Sequence, residues 1–547
     1  MKIERLYNNK EKFRIMYLFP QELVHSHKAF YTYFLRISNY INSRKEEIPF
    51  EFEEILIDLR LEGLPSFEFK NLDEYKRELE AFFSNLYDNF AFNIIALSCY
   101  SSYEYLNSVL IAYLIKSLIN PKCVITVGGY HPTFFPEEFR DEKIPSFIVK
   151  KFPEKVIPFD YLVKGEGELA FFNLLKHLLN NNLKIDRKNK MKPHIIEGGF
   201  FPCLNDLPLI DFSLMKRYKD KLKNLRLNID FGRGCVFHCK LCLSGKYPVF
   251  HKNYRWRAID KCIEELKIIR ETNWLNPNGI TISDPIFFPR KSVRESFFKE
   301  LRILKNSERG FPYKIIVYDR VDVCSKMDLL YYRDLDIEPY FGFESASISM
   351  LKNLNKLNSK NDADYEKYIK KMEDLIIFSN EINTNIWIFL IIGLPSETRQ
   401  TIKDNRDFFI GKRFGGKSLS EQYKIIMDIR YYKAIPPNII YNECEVKYGG
   451  KIYYDKWWRK PLDDHRVYNK IVKPSKELDF LESLSLNYAW VKKYVSDQIK
   501  NKTPFFDKGD FKIMREGYFK FAHLYRNGEK DFDLFIPQYW KHGEIYP

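Results

Sequence analysis

The stretch Arg233-Gly-Cys-Val-Phe-His-Cys-Lys-Leu-Cys242 constrains the chain more than any other. It spaces Cys235, Cys239 and Cys242 as C-x3-C-x2-C, three of only nine cysteines in 547 residues. Thiolates are soft ligands that suit iron–sulfur clusters, and a four-iron cubane normally takes four of them. This loop offers three, and no fourth cysteine follows at short range. Such a set would leave one iron open to a small molecule. Incidental core cysteines have no reason to crowd into one short loop. A zinc site usually wants four ligands in paired C-x2-C or C/H spacing, and His238 falls between the cysteines rather than after them.

With its preceding Arg-Gly and strand-like run, this loop resembles that of the radical S-adenosylmethionine enzymes. The resemblance implies that the three cysteines hold a 4Fe–4S cluster. It also implies that S-adenosylmethionine chelates the open iron through its amino and carboxylate groups. Reduction would then cleave the sulfonium and give a 5′-deoxyadenosyl radical. The residue before the third cysteine, usually aromatic in that family, is Leu241 here, which is apolar and can still shield a cluster.

At 547 residues the chain is too long for one ordinary domain. Hydrophobic residues at 45% supply ample core. With 88 basic against 73 acidic residues the net charge is +15. A basic balance can mean nucleic acid, a membrane surface or an acidic partner. No long Lys/Arg run is present, so a lysine-rich composition without a special patch accounts for the charge and nucleic acid is not the expected partner. The cysteines form no disulfide-like framework, and a cluster motif implies a reducing cytosol. The start MKIERLYNNKEKF lacks the apolar core of a signal peptide, and no apolar run reaches membrane-spanning length, so a cytoplasmic location is expected.

In the N-terminal third, short apolar runs alternate with helix-like segments: Phe13–Phe19, Ile55–Leu59, Asn93–Cys99, Cys123–Gly129 and Phe159–Gly165. Runs of this kind ending in Gly, Ser or Asp read as buried parallel strands of a doubly wound sheet, whose ligands bind beyond the carboxyl ends of the strands. The residues there include Ser98, Gly128, Gly129, His131, Gly165 and Glu166. Their glycines would let a ligand approach the backbone, or would only serve tight turns. The runs VGGYHPTFFPEEF and FDYLVKGEGE resemble the Rossmann-like cobalamin-binding domain fused before many radical S-adenosylmethionine enzymes. The resemblance covers about residues 13–180 and implies cobalamin contacts at those six positions, with His131 near the corrin rather than on the metal. No D-x-H-x2-G motif follows the first strand, where His25 and His27 lie, so cobalamin would not be ligated from below in that way.

Residues 181–225 open with a polar, basic run that reads as an exposed linker. From residue 226 strand and helix signals alternate again over Arg226–Phe231, Gly279–Asp284, Lys314–Tyr318, Glu338–Glu344, Ile386–Leu394 and Ile425–Tyr431. Six βα units over 226–433 fit a partial (β/α)6 TIM-type barrel, with the cysteine loop at the carboxyl end of the first strand, where barrels build active sites. Cys262 shares one helix face with Ile259, Ile263, Leu266 and Ile269 and reads as core. Bound S-adenosylmethionine would need an acceptor for its ammonium, polar partners for its ribose and an apolar slot for adenine. The resemblance places Glu344 and Ser345 at the fourth-strand contact and Ile392 and Gly393 at the adenine wall. Asp284 stands where many members have a glycine-rich turn, and Arg320 would meet the carboxylate. Ser396 or Thr398 caps the following helix.

Residues 434–547 read as a mainly α-helical cap. Its Trp457, Trp458, Trp490 and Trp540 would either cover the barrel mouth or simply pack. Cys324 and Cys444 are too few for a second cluster. The whole is an α/β chain whose resemblance implies an enzyme using a 4Fe–4S cluster, S-adenosylmethionine and cobalamin to C-methylate an unactivated carbon. The alternative is a radical rearrangement, cyclisation or dehydrogenation with the cobalamin domain auxiliary or empty. The expected partners are a small-molecule or peptide substrate and an electron donor such as flavodoxin or ferredoxin.

Overall fold

The computed structural model describes residues 13–22, 29–48, 51–180, 192–243, 254–413, 415–462 and 469–503. His25, His27, Trp540 and most of the polar run after residue 180 lie outside them. The chain divides into two compact units. The first is built on the residues up to Asn224 with Thr272–Asn276 and Trp458–Asp463, and the second on the rest.

The first unit carries six parallel strands: β1 (Phe13–Phe19), β2 (Phe52–Asp58), β3 (Ile94–Ser98), β4 (Val124–Gly128), β5 (Tyr161–Gly165) and β6 (His194–Gly199). Their order is β2-β1-β3-β4-β5-β6. The interior strands read as unbroken apolar runs because both faces are buried; all five residues of β3 are. The edges read differently. In β2 only the last three residues are buried, and in β6 buried positions are absent, with Ile195 49% exposed. That mixed pattern is why β6 is hidden in a stretch that reads as linker. Helices α1 (Tyr33–Asn42), α2 (Leu72–Phe90), α3 (Tyr105–Leu114) and α4 (Gly167–Asn180) lie between the strands in sequence. The strand order reverses between β1 and β3, so the crevice of a doubly wound sheet falls beyond their carboxyl ends.

The second unit carries β7 (Arg226–Ile229), β8 (Ile280–Ile282), β9 (Ile315–Asp319), β10 (Ile337–Glu344), β11 (Trp387–Ile392) and β12 (Ile426–Tyr431). They are parallel and pair in sequence order. The intervening helices are α5 (Ile259–Glu271), α6 (Lys291–Lys305), α7 (Lys326–Asp334), α8 (Asp362–Glu381) and α9 (Arg399–Ile410). This is the topology of a partial barrel, and among the described residues β7 and β12 do not pair. On α5, Cys262 is fully buried beside Ile263, Leu266 and Ile269. Thr398 caps α9, accepting the Thr401 amide. Two further helices, α10 (Ile439–Tyr448) and α11 (Phe480–Lys500), follow β12. Trp457, Trp458 and Trp490 are all buried, so these tryptophans pack rather than line a mouth. Among the described residues no helix is long and apolar enough to cross a membrane.

Candidate functional site

The cysteine loop leaves the carboxyl end of β7 and is fastened before its first cysteine. The Phe231 N–H donates to Asp284 Oδ1 at 2.8 Å, and the Phe231 carbonyl accepts the Arg257 amide at 2.8 Å. A Cβ on Gly232 would lie 2.7 Å from Asp284 Oδ2 and 2.5 Å from Tyr254 Oη, so a larger residue here would have to displace both side chains. Asp284 is 1% exposed, and burial foremost lifts its carboxyl to about 8. It therefore braces the backbone that enters the loop. Further along, Lys240 exchanges backbone bonds with Leu354 (2.9 Å) and Ile440 (3.3 Å) and pairs with Glu443 at 2.8 Å. Leu241 packs on the cluster of Met350, Leu354, Leu394 and Tyr432. An apolar side chain at this position anchors the loop without being aromatic.

Cys235 and Cys239 are partly buried and Cys242 is exposed. Burial foremost pushes the Cys235 thiol up to about 11, and Cys242 and Cys239 lie close enough to add to it. Among the described residues no three His, Cys, Asp or Glu side chains gather around a single ion. A cubane bonds each cysteine through a different iron, so its thiolates stand farther apart than the ligands of one ion. Three partly open thiols on one short turn, one of them facing a cation, fit that donor set.

The cation is Arg320, at the end of β9. Its Nη1 donates to Cys239 Sγ at 3.3 Å. Its Nε and Nη2 donate to the two Asp322 carboxylate oxygens at 3.0 Å each, and Nη2 also reaches the Lys356 carbonyl at 2.7 Å. Phe237 lies flat against it, 3.7 Å from ring centroid to guanidinium. Arg320, expected to meet a cofactor carboxylate, is engaged by Asp322, the Lys356 carbonyl, Phe237 and Cys239. Ser345, expected at the fourth-strand contact, is buried. It is 1% exposed, and its hydroxyl donates to Asn405 Oδ1 at 3.0 Å and accepts the Ser347 amide at 3.1 Å. Glu344 is partly buried at the strand end, its side chain 16% exposed. It ends β10 after a register irregularity with φ +70°, a left-handed conformation uncommon for a side-chain-bearing residue, and pairs with Lys356 Nζ at 3.1 Å.

Ile392 is buried at the end of β11, and Gly393 follows at φ +70°. The Gly393 N–H donates to Glu397 Oε1 at 2.9 Å. Glu397 is buried, accepts from Ser483 Oγ and from Asn487 Nδ2 (3.1 Å), and is lifted to about 7, chiefly by burial. Sequence reasoning passed over Glu397, although its place four residues after a strand-end glycine was a usable signal. Lys356 was missed as well, and nothing in its local pattern marks it.

In the first unit, Ser98 and Gly128 pair in register at the ends of β3 and β4. Gly129 has φ +124°, and a Cβ there would sit 2.5 Å from the Cys99 carbonyl oxygen. Thr133 Oγ1 donates to the Gly129 carbonyl at 2.6 Å and accepts the Gly165 N–H at 3.1 Å, joining two strand-end turns. Gly165 itself has φ +88°, and the Glu166 carboxylate accepts the Phe201 amide at 2.6 Å. His131, expected near the corrin, is enclosed. It is 2% exposed, its Nδ1 meets Ser102 Oγ at 2.9 Å, and Tyr105, Phe135, Phe139 and Trp458 surround its ring. Its ring packs among these aromatic side chains. Tyr33 and Tyr100 stack at 5.2 Å, with Tyr31 and Tyr130 against them, an aromatic shelf that the sequence reading did not single out.

These two α/β units have the fold of the radical S-adenosylmethionine enzymes that carry an N-terminal cobalamin-binding domain, so the resemblance read from the cysteine loop holds at the level of fold. The cobalamin-dependent S-adenosylmethionine radical enzyme OxsB superposes with a TM-score of 0.60 at 18% identity, over 97% of this chain and 75% of that one. The radical S-adenosylmethionine methyltransferase TsrM from Kitasatospora setae, solved with cobalamin and a [4Fe-4S] cluster bound, superposes with a TM-score of 0.56 at 13% identity over 80% of each chain. In sequence, the chain is 24% identical over 300 residues to the anaerobic magnesium-protoporphyrin IX monomethyl ester cyclase of Cereibacter sphaeroides. That match covers 52% of this chain and 44% of the cyclase, so the chain spans less than half the length of that relative. No family model matches.

Proposed function

We propose that this chain is a radical S-adenosylmethionine enzyme that holds a 4Fe–4S cluster on Cys235, Cys239 and Cys242 and cobalamin in its first unit, and that it C-methylates an unactivated carbon. When bound, the cluster and S-adenosylmethionine would supply the radical chemistry and cobalamin the methyl group. The chain's own residues supply position. Asp284 and Gly232 fix where the cysteine loop begins, and Leu241 and Lys240 fix where it ends. Glu344, held by Lys356, presents a carboxylate at the end of β10. Ile392 and Gly393, the latter at φ +70°, would form the adenine wall at the end of β11. Gly129 and Gly165 supply the positive-φ backbone of the strand-end turns in the first unit.

The observation that carries the reading is the three-thiol loop at the carboxyl end of the first strand of a partial barrel. TsrM is named as a methyltransferase, which supports the methyl outcome. The cyclase relative favours a second reading, radical cyclisation without methyl transfer. The substrate class proposed is a small molecule or peptide, with a redoxin-type protein as electron donor.

Anaerobic reconstitution with iron, sulfide and hydroxocobalamin decides the matter. The reading expects about four irons per chain, as a cubane requires, and stoichiometric cobalt. Cys239→Ala should lose most of the iron. S-adenosylmethionine bearing a deuterated methyl group should then label a product. Iron without cobalt or label would leave the cyclisation reading standing alone. No iron would remove both.

A further inference from the structure

Arg320 is pinned far more firmly than a loop-end arginine needs to be. Asp322 grips it bidentately at 3.0 Å, and Lys371 Nζ in turn holds the Asp322 carbonyl at 3.0 Å. The Lys356 carbonyl fixes Nη2, Phe237 covers the guanidinium face, and the Arg320 amide bonds to Asp319 Oδ1 at 2.8 Å. Against these restraints one N–H points at a sulfur, Cys239 Sγ, at 3.3 Å. A guanidinium fork held this way cannot swing to a carboxylate without breaking the Asp322 pair.

Resting on the cluster reading above, we propose that Arg320 is a positioning residue that sets the reduction potential of the iron–sulfur site through Cys239. Reduction adds one negative charge. A hydrogen-bond donor and a positive charge at a ligating sulfur stabilise the reduced state more than the oxidised one and so raise the potential. Asp322 opposes this effect, because its carboxylate offsets the guanidinium charge. The two residues therefore tune the site in opposite directions, which a purely structural role would not do.

The test is a redox titration of reconstituted protein. Dithionite supplies one electron per cluster, and the reduced cluster is followed by electron paramagnetic resonance. Arg320→Met should keep its iron while becoming about tenfold harder to reduce, a midpoint about 59 mV lower for a one-electron couple. Asp322→Asn should move the midpoint upward. Arg320→Lys, which keeps the charge but loses the fork, should fall between wild type and Arg320→Met. If Arg320→Met takes no iron, Asp322→Asn and Arg320→Lys carry the decision. Midpoints that stay at the wild-type value, or that move in the same direction for Arg320 and Asp322 variants, overturn the assignment and leave the cluster reading intact. A wild-type chain that takes no iron overturns both.

Discussion

The two units place their loops at the same end of a parallel sheet but hold them by different means. In the first unit the turns after β4 and β5 are joined by neutral bonds, Thr133 to Gly129 and Gly165, and by glycines where the chain passes close to itself. Of its buried ion pairs, Lys116–Asp160 sits at the amino end of β5 and Arg60–Asp58 at the carboxyl end of β2, neither within those turns. In the second unit the loops are tied by charge: Arg320 with Asp322, Lys356 with Glu344, Lys240 with Glu443. The cysteine loop buries little apolar surface besides Leu241, so ionic and backbone ties must do what packing does elsewhere. A turn held by glycine geometry tolerates no added atom. A turn held by charge tolerates no unpaired partner.

The contrast breaks most visibly at Arg294 and Asp319. Both are buried, joined by two bonds of 2.9 Å, with Tyr332 donating to Asp319 at 2.8 Å. Asp319 also fixes the amide of Arg320. Arg294→Met would leave a carboxylate buried without its cation, which costs about 3–5 kcal/mol. Urea unfolding should show that loss. A loss below about 1 kcal/mol would mean that charge is not what holds this end of the barrel.

The matching change in the first unit is Gly129→Ala. Its φ of +124° and the Cys99 carbonyl 2.5 Å from the new Cβ predict a loss of about 3 kcal/mol. Gly128→Ala is the control, since its Cβ would meet Val163 at an ordinary 3.7 Å. Equal urea midpoints for the two variants would show that strand-end glycine geometry is not limiting there.

Legibility in the sequence divides along the same line. Interior strands such as β1 and β3 are unbroken apolar runs and can be read directly, whereas β6 alternates and passes for linker. Cysteine spacing marks the loop, because ligands to one cluster can be close in sequence. The residues that position it, Asp322, Lys356 and Glu443, come from other strand ends and helices and carry no local pattern. His131 is the opposite case. It stands in a glycine-led turn of the kind that faces ligands, but Phe135, Phe139 and Trp458 draw its ring inward.

The subtlest difference between the units is in how each responds to pH. Glu397, in the second, is lifted from 4.5 to about 7. Between those values the folded chain keeps a proton that the unfolded chain has lost, so raising the pH weakens folding. His131, in the first, is lowered from 6.5 by burial. Below 6.5 the unfolded chain takes up a proton that the folded chain refuses, so lowering the pH weakens folding. The two groups thus act with opposite sign, and their windows overlap between 4.5 and 6.5, where each partly offsets the other. Glu397→Gln keeps an acceptor for the Gly393 amide while abolishing the titration. It should remove roughly 1–2 kcal/mol of the decline in stability between about pH 5 and about pH 7. The acid-side fall from His131 should persist in the same variant. Urea midpoints across that range read both effects at once. A variant whose alkaline-side decline equals that of the wild type would show that the Glu397 carboxyl is already ionised in the fold, held by Ser483, Asn487 and the Gly393 amide strongly enough to outweigh its burial.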